Sequence, residues 1–273
     1  MPLLEVKNRY NNKKLFNKKV FRDDGKSFVL AMDHAMMMPS ANIDYPKTII
    51  ESAVDGGVDA FLTSYGIIKN FRNEFRDAGV ILRADGGISA LKKPMDKMDL
   101  LYTPEDAINL GVDAMLCMGY PGSTTNEHTL KYLAKLCAMG DKYNVAIGAE
   151  MLPFGFEKHE GVDTRSVENV SFACRQGCEL GADFIKTEFV GEKRFVEVVE
   201  NSYSPIMVLG GANAKSPTEM FKDISSAIEY GASGIIMGRN ILRHKNINAI
   251  CRAISKIIHE NISVDEALKI SES

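Results

Sequence analysis

Lys186 is the residue whose position in this chain most invites chemistry. It ends the apolar run Ala182-Asp183-Phe184-Ile185, which reads as a short strand buried on both faces. An ammonium enclosed there without a partner is costly, so the neutral amine is favoured. A neutral amine attacks carbonyl carbon, which makes Schiff-base chemistry available. The competing reading is structural, with the lysine paired to Glu188 or another carboxylate. Asp33 is the mirror case, closing the run Phe28-Val29-Leu30-Ala31-Met32-Asp33. Strand alternation puts Val29, Ala31 and Asp33 on one face and Leu30 and Met32 on the other. If the small pair faces a closed interior, Asp33 points inward, toward an inward Lys186. An Asx turn opening the next loop is the alternative for Asp33. His34 is then expected to point away and to bond locally.

Two further runs end in glycine: Met207-Val208-Leu209-Gly210-Gly211 and Ile235-Ile236-Met237-Gly238-Arg239-Asn240. Glycines let backbone N–H groups approach an anion closely. A helix N-terminus adds favourable potential, and Arg239 supplies a counter-charge. Gly210, Gly211, Gly238 and Arg239 are therefore candidate phosphate-binding residues. Metal chemistry has less support. His34, His128, His159, His244 and His259 include no i, i+4 pair, so their spacing builds no metal site. The 14 methionines, three of them at Met36-Met37-Met38, read as packing.

Such strand ends need a scaffold that brings them together. Four segments repeat a pattern: Gly57-Val58-Asp59-Ala60, Gly111-Val112-Asp113-Ala114, Gly181-Ala182-Asp183-Phe184 and Gly231-Ala232-Ser233-Gly234. Each follows a helix-like stretch and precedes a strand-like one, with the glycine suited to a left-handed helix C-terminus. They are 54, 70 and 50 residues apart, too far for single βα units, so intermediate units are expected. The strand candidates are Phe28–Asp33, Ala60–Ser64, Val80–Ala84, Ala114–Met118, Val145–Glu150, Phe184–Thr187, Ile206–Leu209 and Gly234–Met237. Amphipathic stretches such as Thr129–Lys142 and Pro217–Tyr230 separate them. Ser216-Pro217-Thr218-Glu219 reads as a helix start with a capping box. The third unit is the weakest, because Gly87–Leu100 has little helical pattern. Eight strands alternating with helices in 273 residues predict an α/β fold, a single-domain (β/α)8 barrel over residues 28–273. Residues 1–27 are expected to be a helical lead-in with a solvated basic face, packed on the barrel floor through Leu15-Phe16 and Val20-Phe21.

Composition agrees with a soluble enzyme. Lysine and arginine total 33 against 36 aspartate and glutamate, a net charge of −3, which argues against nucleic-acid and membrane-surface partners. The apolar runs are too short to span a bilayer, and Met1-Pro2-Leu3-Leu4-Glu5 leads straight into charge without a signal peptide. Five cysteines in apolar segments, without C-x-x-C spacing, read as reduced core thiols of a cytoplasmic protein.

With these placements made, Leu15-Phe16 through Asp24-Gly25-Lys26, and then Val29-Leu30-Ala31-Met32-Asp33-His34, resemble the opening of the DhnA-type class I aldolases. This group of the DeoC/LacD-like superfamily contains archaeal-type fructose-bisphosphate aldolase, the aminodideoxyheptulosonate synthases and the autoinducer-2 phosphate thiolase. Ile185-Lys186-Thr187 resembles its Schiff-base lysine motif, and Gly210-Gly211 and Gly238-Arg239-Asn240-Ile241 its phosphate loops. The resemblance spans about residues 13 to 265. It implies a (β/α)8 fold, no metal or other cofactor, and a homo-oligomer. It implies that Lys186 forms the imine and that Asp33 orients the amine and shuttles protons. Two positions depart from the pattern. Many members carry Tyr-Pro-Arg after the fifth strand, where this chain has Glu150-Met151-Leu152-Pro153-Phe154, so Leu152 stands for the tyrosine. Glu150 is the preferred substitute acid/base, as in aldolases of the tagatose-bisphosphate type, with Tyr120 and Tyr65 behind it. The family's Gly-Gly-Pro-Lys becomes Gly210-Gly211-Ala212-Asn213, with Lys215 as a compensating cation.

The expectation is a class I aldolase, similar to fructose-bisphosphate aldolase, acting on a small phosphorylated ketose and an aldehyde. Two alternatives stay open. One is a same-fold transferase using the same lysine, such as a thiolase or heptulosonate synthase. The other is a barrel that only binds sugar phosphates. Short loops, chiefly Pro121–His128 and Pro153–Thr164, are expected to set specificity.

Overall fold

Runs of four to six buried residues form eight strands: β1 (Ser27–Ala31), β2 (Ala60–Thr63), β3 (Gly79–Arg83), β4 (Ala114–Gly119), β5 (Ala146–Met151), β6 (Phe184–Thr187), β7 (Ile206–Leu209) and β8 (Gly234–Met237). The computed structural model describes residues 19–39, 43–91, 97–191, 193–211 and 216–273. Each strand pairs in parallel with its neighbours in chain order, and β8 closes on β1, so the sheet is an eight-stranded barrel. Helices cover its outside, which is why the strands read as unbroken apolar runs: neither face meets water. The predicted single-domain (β/α)8 architecture is the one observed.

Strand alternation sorts the side chains as expected. Val29, Ala31, Leu62, Ile81, Leu116 and Phe184 belong to the interior cluster, whereas Phe28, Leu30 and Met32 pack outward against the helices. Bulk and space are matched across strands. Phe184 on β6 fills the interior beside its register partner Gly148 on β5, where an added Cβ would lie 2.2 Å from the ring. The floor is sealed by Val20 and Phe21, both buried and joined to the same cluster. Residues 19–26 run as turns, while residues 1–18 of the expected lead-in helix lie outside the described residues. This segment is held by charge. The His259 ring has Nδ1 2.7 Å from Asp24 and Nε2 2.9 Å from Asp59, and Arg22 Nε donates to Asp59.

The sequence repeat has a structural cause. It falls on β2, β4, β6 and β8, every second strand, which explains spacings of two units. Its glycines Gly57, Gly111, Gly181 and Gly231 all have positive φ, between 65° and 100°, as the turn out of each helix requires. Its aspartates hold the start of the preceding strand. Phe28 N–H donates to Asp59 at 2.7 Å, Val80 N–H to Asp113 at 3.0 Å and Ile147 N–H to Asp183 at 2.8 Å. At β8, where the repeat carries serine, the link to the preceding strand is a backbone one, Ser233 N–H donating to the Ile206 carbonyl at 2.7 Å.

The layer of helices comprises α1 (Pro46–Asp55), α2 (Tyr65–Asn70), α3 (Pro104–Leu110), α4 (Asn126–Tyr143), α5 (Val167–Glu179), α6 (Phe195–Asn201), α7 (Pro217–Glu229), α8 (Arg239–Leu242), α9 (Ile247–Glu260) and α10 (Val264–Ser271). The capping box predicted at Ser216 and Glu219 starts α7. In the weak third unit, Asp85–Gly86 pairs antiparallel with Asp99–Leu100 before the short α3. Among the described residues no helix is long and apolar enough to cross a membrane.

The aspartate bonds yield a stability prediction. Asp183→Ala leaves the buried Ile147 N–H without its acceptor and is expected to cost about 1–3 kcal/mol in urea unfolding, with the slope unchanged. Asp183→Asn keeps an acceptor oxygen and should cost less. Equal stability of wild type and the alanine variant would refute this role.

Candidate active site

Parallel strands in register bring side chains at equal heights together. Glu150 on β5 and Lys186 on β6 are register partners near the C-terminal ends of their strands, both facing the interior. Lys186 Nζ lies 2.9 Å from Glu150 Oε2, and each side chain is about 8% exposed. Among the described residues that oxygen has no partner with hydrogen-bond geometry, so the approach is an ion pair. The sequence offered Glu188 as a lysine partner, but Glu188 lies 2.5 Å from Arg165 instead.

The alternation rule that placed Asp33 and Lys186 inward also applies to Arg83, which the sequence reading passed over. Arg83 follows Ile81 on the inner face of β3 and is among the largest fully buried side chains. Its Nε donates to Asp85, its Nη1 donates to Asp33 Oδ2 at 2.8 Å, and Nη1 also lies 3.6 Å from Glu150 Oε2. Asp85 is held in turn by Met118 N–H and by the Tyr132 hydroxyl, both at 2.8 Å. The signal was a charged residue ending a buried strand, the feature that singled out Lys186. Burial alone would lower the guanidinium. Asp85, Asp33 and Glu150 outweigh it and hold Arg83 protonated, well above its ordinary value. Burial likewise pushes the Asp33 carboxyl up, but Arg83, then His34 and Lys186, more than offset it and leave Asp33 ionised below the usual carboxylate range.

Lys186 and Glu150 open into a cavity of about 70 Å³ whose other walls include Gly210, Gly211, Gly238 and Arg239. The volume exceeds the space several waters need and is open to a small anionic group. All four candidate phosphate residues therefore share one cavity with the lysine. Gly238 precedes α8, and its position admits only glycine: a Cβ there would lie 2.2 Å from the Ala31 carbonyl oxygen. Arg239 Nη2 donates to the Gly211 carbonyl at 3.1 Å and Asn240 Nδ2 to the Gly210 carbonyl at 3.3 Å, so the two loops brace each other. Ala212, Asn213 and Lys215 lie outside the described residues.

The expectation for His34 is corrected. It does not turn away; its ring lines the same cavity. Strand geometry ends at Ala31, and the 3-10 turn His34–Met36 carries the side chain over the mouth, where alternation no longer applies. Its Nδ1 is buried without a hydrogen-bond partner, 3.9 Å from Asp33 Oδ1. Burial lowers the imidazole most, Asp33 pulls it back, and Lys186 and Arg239 lower it further, leaving it neutral near pH 7.

Tyr120 is not brought to this cavity. The turn after β4 buries its ring with Met98, Met118 and Leu152, and its hydroxyl donates to Met98 Sδ at 3.6 Å. Burial raises that hydroxyl well above its ordinary value although Arg83 opposes, so it stays protonated. Leu152 packs in the same cluster, and Tyr65 stacks on Tyr102 with ring centroids 4.8 Å apart. The loop after β5 is tied down by Arg165, which donates to the Pro153 carbonyl and to the Gly155 carbonyl at 2.7 Å. All five cysteines are buried.

Comparison with known proteins agrees with this geometry. The chain is 30% identical over 260 residues to an uncharacterized aldolase of Saccharolobus solfataricus, covering 91% of this chain and 95% of the relative. It is 30% identical over 247 residues to 2-amino-3,7-dideoxy-D-threo-hept-6-ulosonate synthase 1 of Archaeoglobus fulgidus, covering 90% and 91%. Among solved structures, a Schiff-base-forming fructose-1,6-bisphosphate aldolase superposes with a TM-score of 0.81 at 26% identity, over 90% of this chain and 98% of that one. Residues 27–244, from the first strand through α8, which carries Arg239, match the DeoC/LacD family aldolases, and the chain belongs to that family.

Proposed function

We propose that the protein is a class I aldolase that makes or cleaves a carbon–carbon bond in a phosphorylated ketose, with Lys186 as the imine-forming residue. The observation that carries this reading is the 2.9 Å approach of Lys186 Nζ to Glu150 Oε2 inside the cavity walled by Gly210, Gly211, Gly238 and Arg239. Backbone N–H groups and the Arg239 guanidinium bind the phosphate, which fixes the ketone carbon beside the amine.

The cycle balances on these two side chains. Lys186 passes a proton to Glu150, and its lone pair attacks the ketone carbon while the C=O π pair moves to oxygen; the proton on the now positive nitrogen passes to that oxygen and gives the neutral carbinolamine. Glu150 returns its proton to the carbinolamine hydroxyl, water leaves, and a protonated imine remains. The Glu150 carboxylate then removes the proton from the hydroxyl one carbon beyond the bond to be broken. That O–H pair becomes the aldehyde C=O bond, and the C–C pair moves into an enamine that neutralises the nitrogen. Protonation of the enamine carbon and hydrolysis of the imine release the second product and the free amine. Asp33, ionised and held by Arg83, orients the lysine in this reading.

Borohydride reduction in the presence of dihydroxyacetone phosphate is expected to add covalent mass at Lys186, and Lys186→Met should abolish both the adduct and turnover. No adduct on the wild type, together with activity abolished by EDTA, would reassign the protein to metal-dependent chemistry. Glu150→Gln should lower kcat by about 10²–10⁴ with KM little changed. Arg239→Ala should raise KM for the phosphorylated ketose by about tenfold or more with a smaller effect on kcat. An unchanged KM in that variant would remove Arg239 from the phosphate site.

A second reading is favoured by the name of the Archaeoglobus relative. The same enamine could be captured by an acceptor other than the released aldehyde, making the protein a transferase. Product analysis with dihydroxyacetone phosphate or fructose 1,6-bisphosphate, with and without a second carbonyl acceptor or coenzyme A, separates the two.

A further inference from the structure

Two cations, Arg83 and Lys186, share the open end of the barrel with three carboxylates, Asp33, Asp85 and Glu150, and all five are buried. Asp85 is satisfied locally by Arg83 Nε, Met118 N–H and the Tyr132 hydroxyl. With Nε so anchored, Nη1 of the guanidinium lies 2.8 Å from Asp33 Oδ2 and 3.6 Å from Glu150 Oε2. The same Glu150 oxygen lies 2.9 Å from Lys186 Nζ. One carboxylate oxygen therefore faces two positive charges, and the other carboxylate near the lysine is already bonded to the arginine.

We propose that Arg83 is a positioning residue that frees the Lys186 amine by occupying the two carboxylates that would otherwise hold it as a permanently paired ammonium. The inference rests on the reading of Lys186 as the nucleophile. Like charges sharing one acceptor in a buried site weaken each other's hold on it. A guanidinium does not give up its proton, so the lysine is the partner that does. The proton moves from Nζ to Glu150 Oε2, and the five buried groups, Arg83 and Lys186 with Asp33, Asp85 and Glu150, carry a net charge of −1 before and after the transfer. The net charge is the same when the positive imine faces the ionised Glu150, so no step adds to the buried charge. Without Arg83, Lys186 would be the single cation between Asp33 and Glu150, and the ammonium would persist. The other polar groups facing the lysine do not replace it: His34, in the turn after β1, is neutral near pH 7, and Arg239 on α8 donates to Gly211.

Reductive methylation by formaldehyde and cyanoborohydride tests this, because it reads the nucleophilicity of Lys186 without any ketose. Adduct at Lys186 would be followed by mass spectrometry across pH, with near-ultraviolet circular dichroism monitoring the fold. At pH 7, Arg83→Gln should methylate at least about tenfold more slowly than wild type, and the gap should close as the pH is raised toward about 9.5. Arg83→Lys should retain most of the wild-type rate. Arg83→Gln combined with Asp33→Asn removes one charge of each sign, restores the wild-type net charge of the buried groups, and should recover the rate to within about threefold of wild type. The inference is overturned by wild-type rates in Arg83→Gln at pH 7, by a slowdown of the same size at every pH, or by no recovery in the double variant. Lys186 that methylates in an Arg83-dependent way but never traps a ketose would overturn the aldolase reading and leave the role of Arg83 standing.

Discussion

A guanidinium with no access to water sets the terms for the open end of this barrel. An enclosed charge is tolerated only if partners surround it, and Arg83 draws them from three strand ends: Asp33 beyond β1, Asp85 beyond β3 and Glu150 on β5. Those carboxylates come from nonadjacent strands, so the arrangement exists only once the barrel has closed. Glu150 then meets Lys186 across the next strand pair. The candidate site is one buried ionic cluster in which each group fixes the next.

The dry lower half is built by the same alternation. Inward positions below the charged layer carry Val29, Ile81, Leu116 and Phe184, and Val20 and Phe21 seal the floor. The repeated aspartates at Asp59, Asp113 and Asp183 bond strand-start amides at that lower end, where an unpaired N–H would be costly. Apolar packing and amide bonding stabilise one end while ionisable groups gather at the other. This is the division of labour expected of a (β/α)8 barrel, whose strand C-termini carry function.

Family membership constrains the chemistry more than the substrate. The relatives include a heptulosonate synthase and structures of fructose-1,6-bisphosphate aldolase on the same barrel. At the end of the fifth strand this chain is apolar on one side and tied by charge on the other. Leu152 sits in an apolar cluster with Tyr120, and Arg165 ties the following loop to Glu188 and to two carbonyls. Tyr120 is turned to Met98, and Glu150 is the carboxylate paired with the lysine.

Much of this was legible in the chain itself. Short apolar runs and the glycine repeat identified the strands and the barrel, and alternation along the first strand gave its inward face, because those patterns reflect local geometry and burial. Glu150 entered through the family resemblance, and the strand-end rule singled out Lys186, Asp33 and the two glycine loops. It would have located Arg83 too, had the rule been applied to every buried strand ending in charge. Other features were beyond it. His34 lies past the last strand residue, so the 3-10 turn decided its direction. The partner of Lys186 is Glu150, not the nearby Glu188, because register across parallel strands brings together residues 36 positions apart. Sequence alone determined which residues must be buried and on which face, since burial follows from side-chain polarity and backbone period. Only the tertiary structure decided which buried charge faces which, because ion pairing acts through space and depends on how the closed barrel staggers its strands.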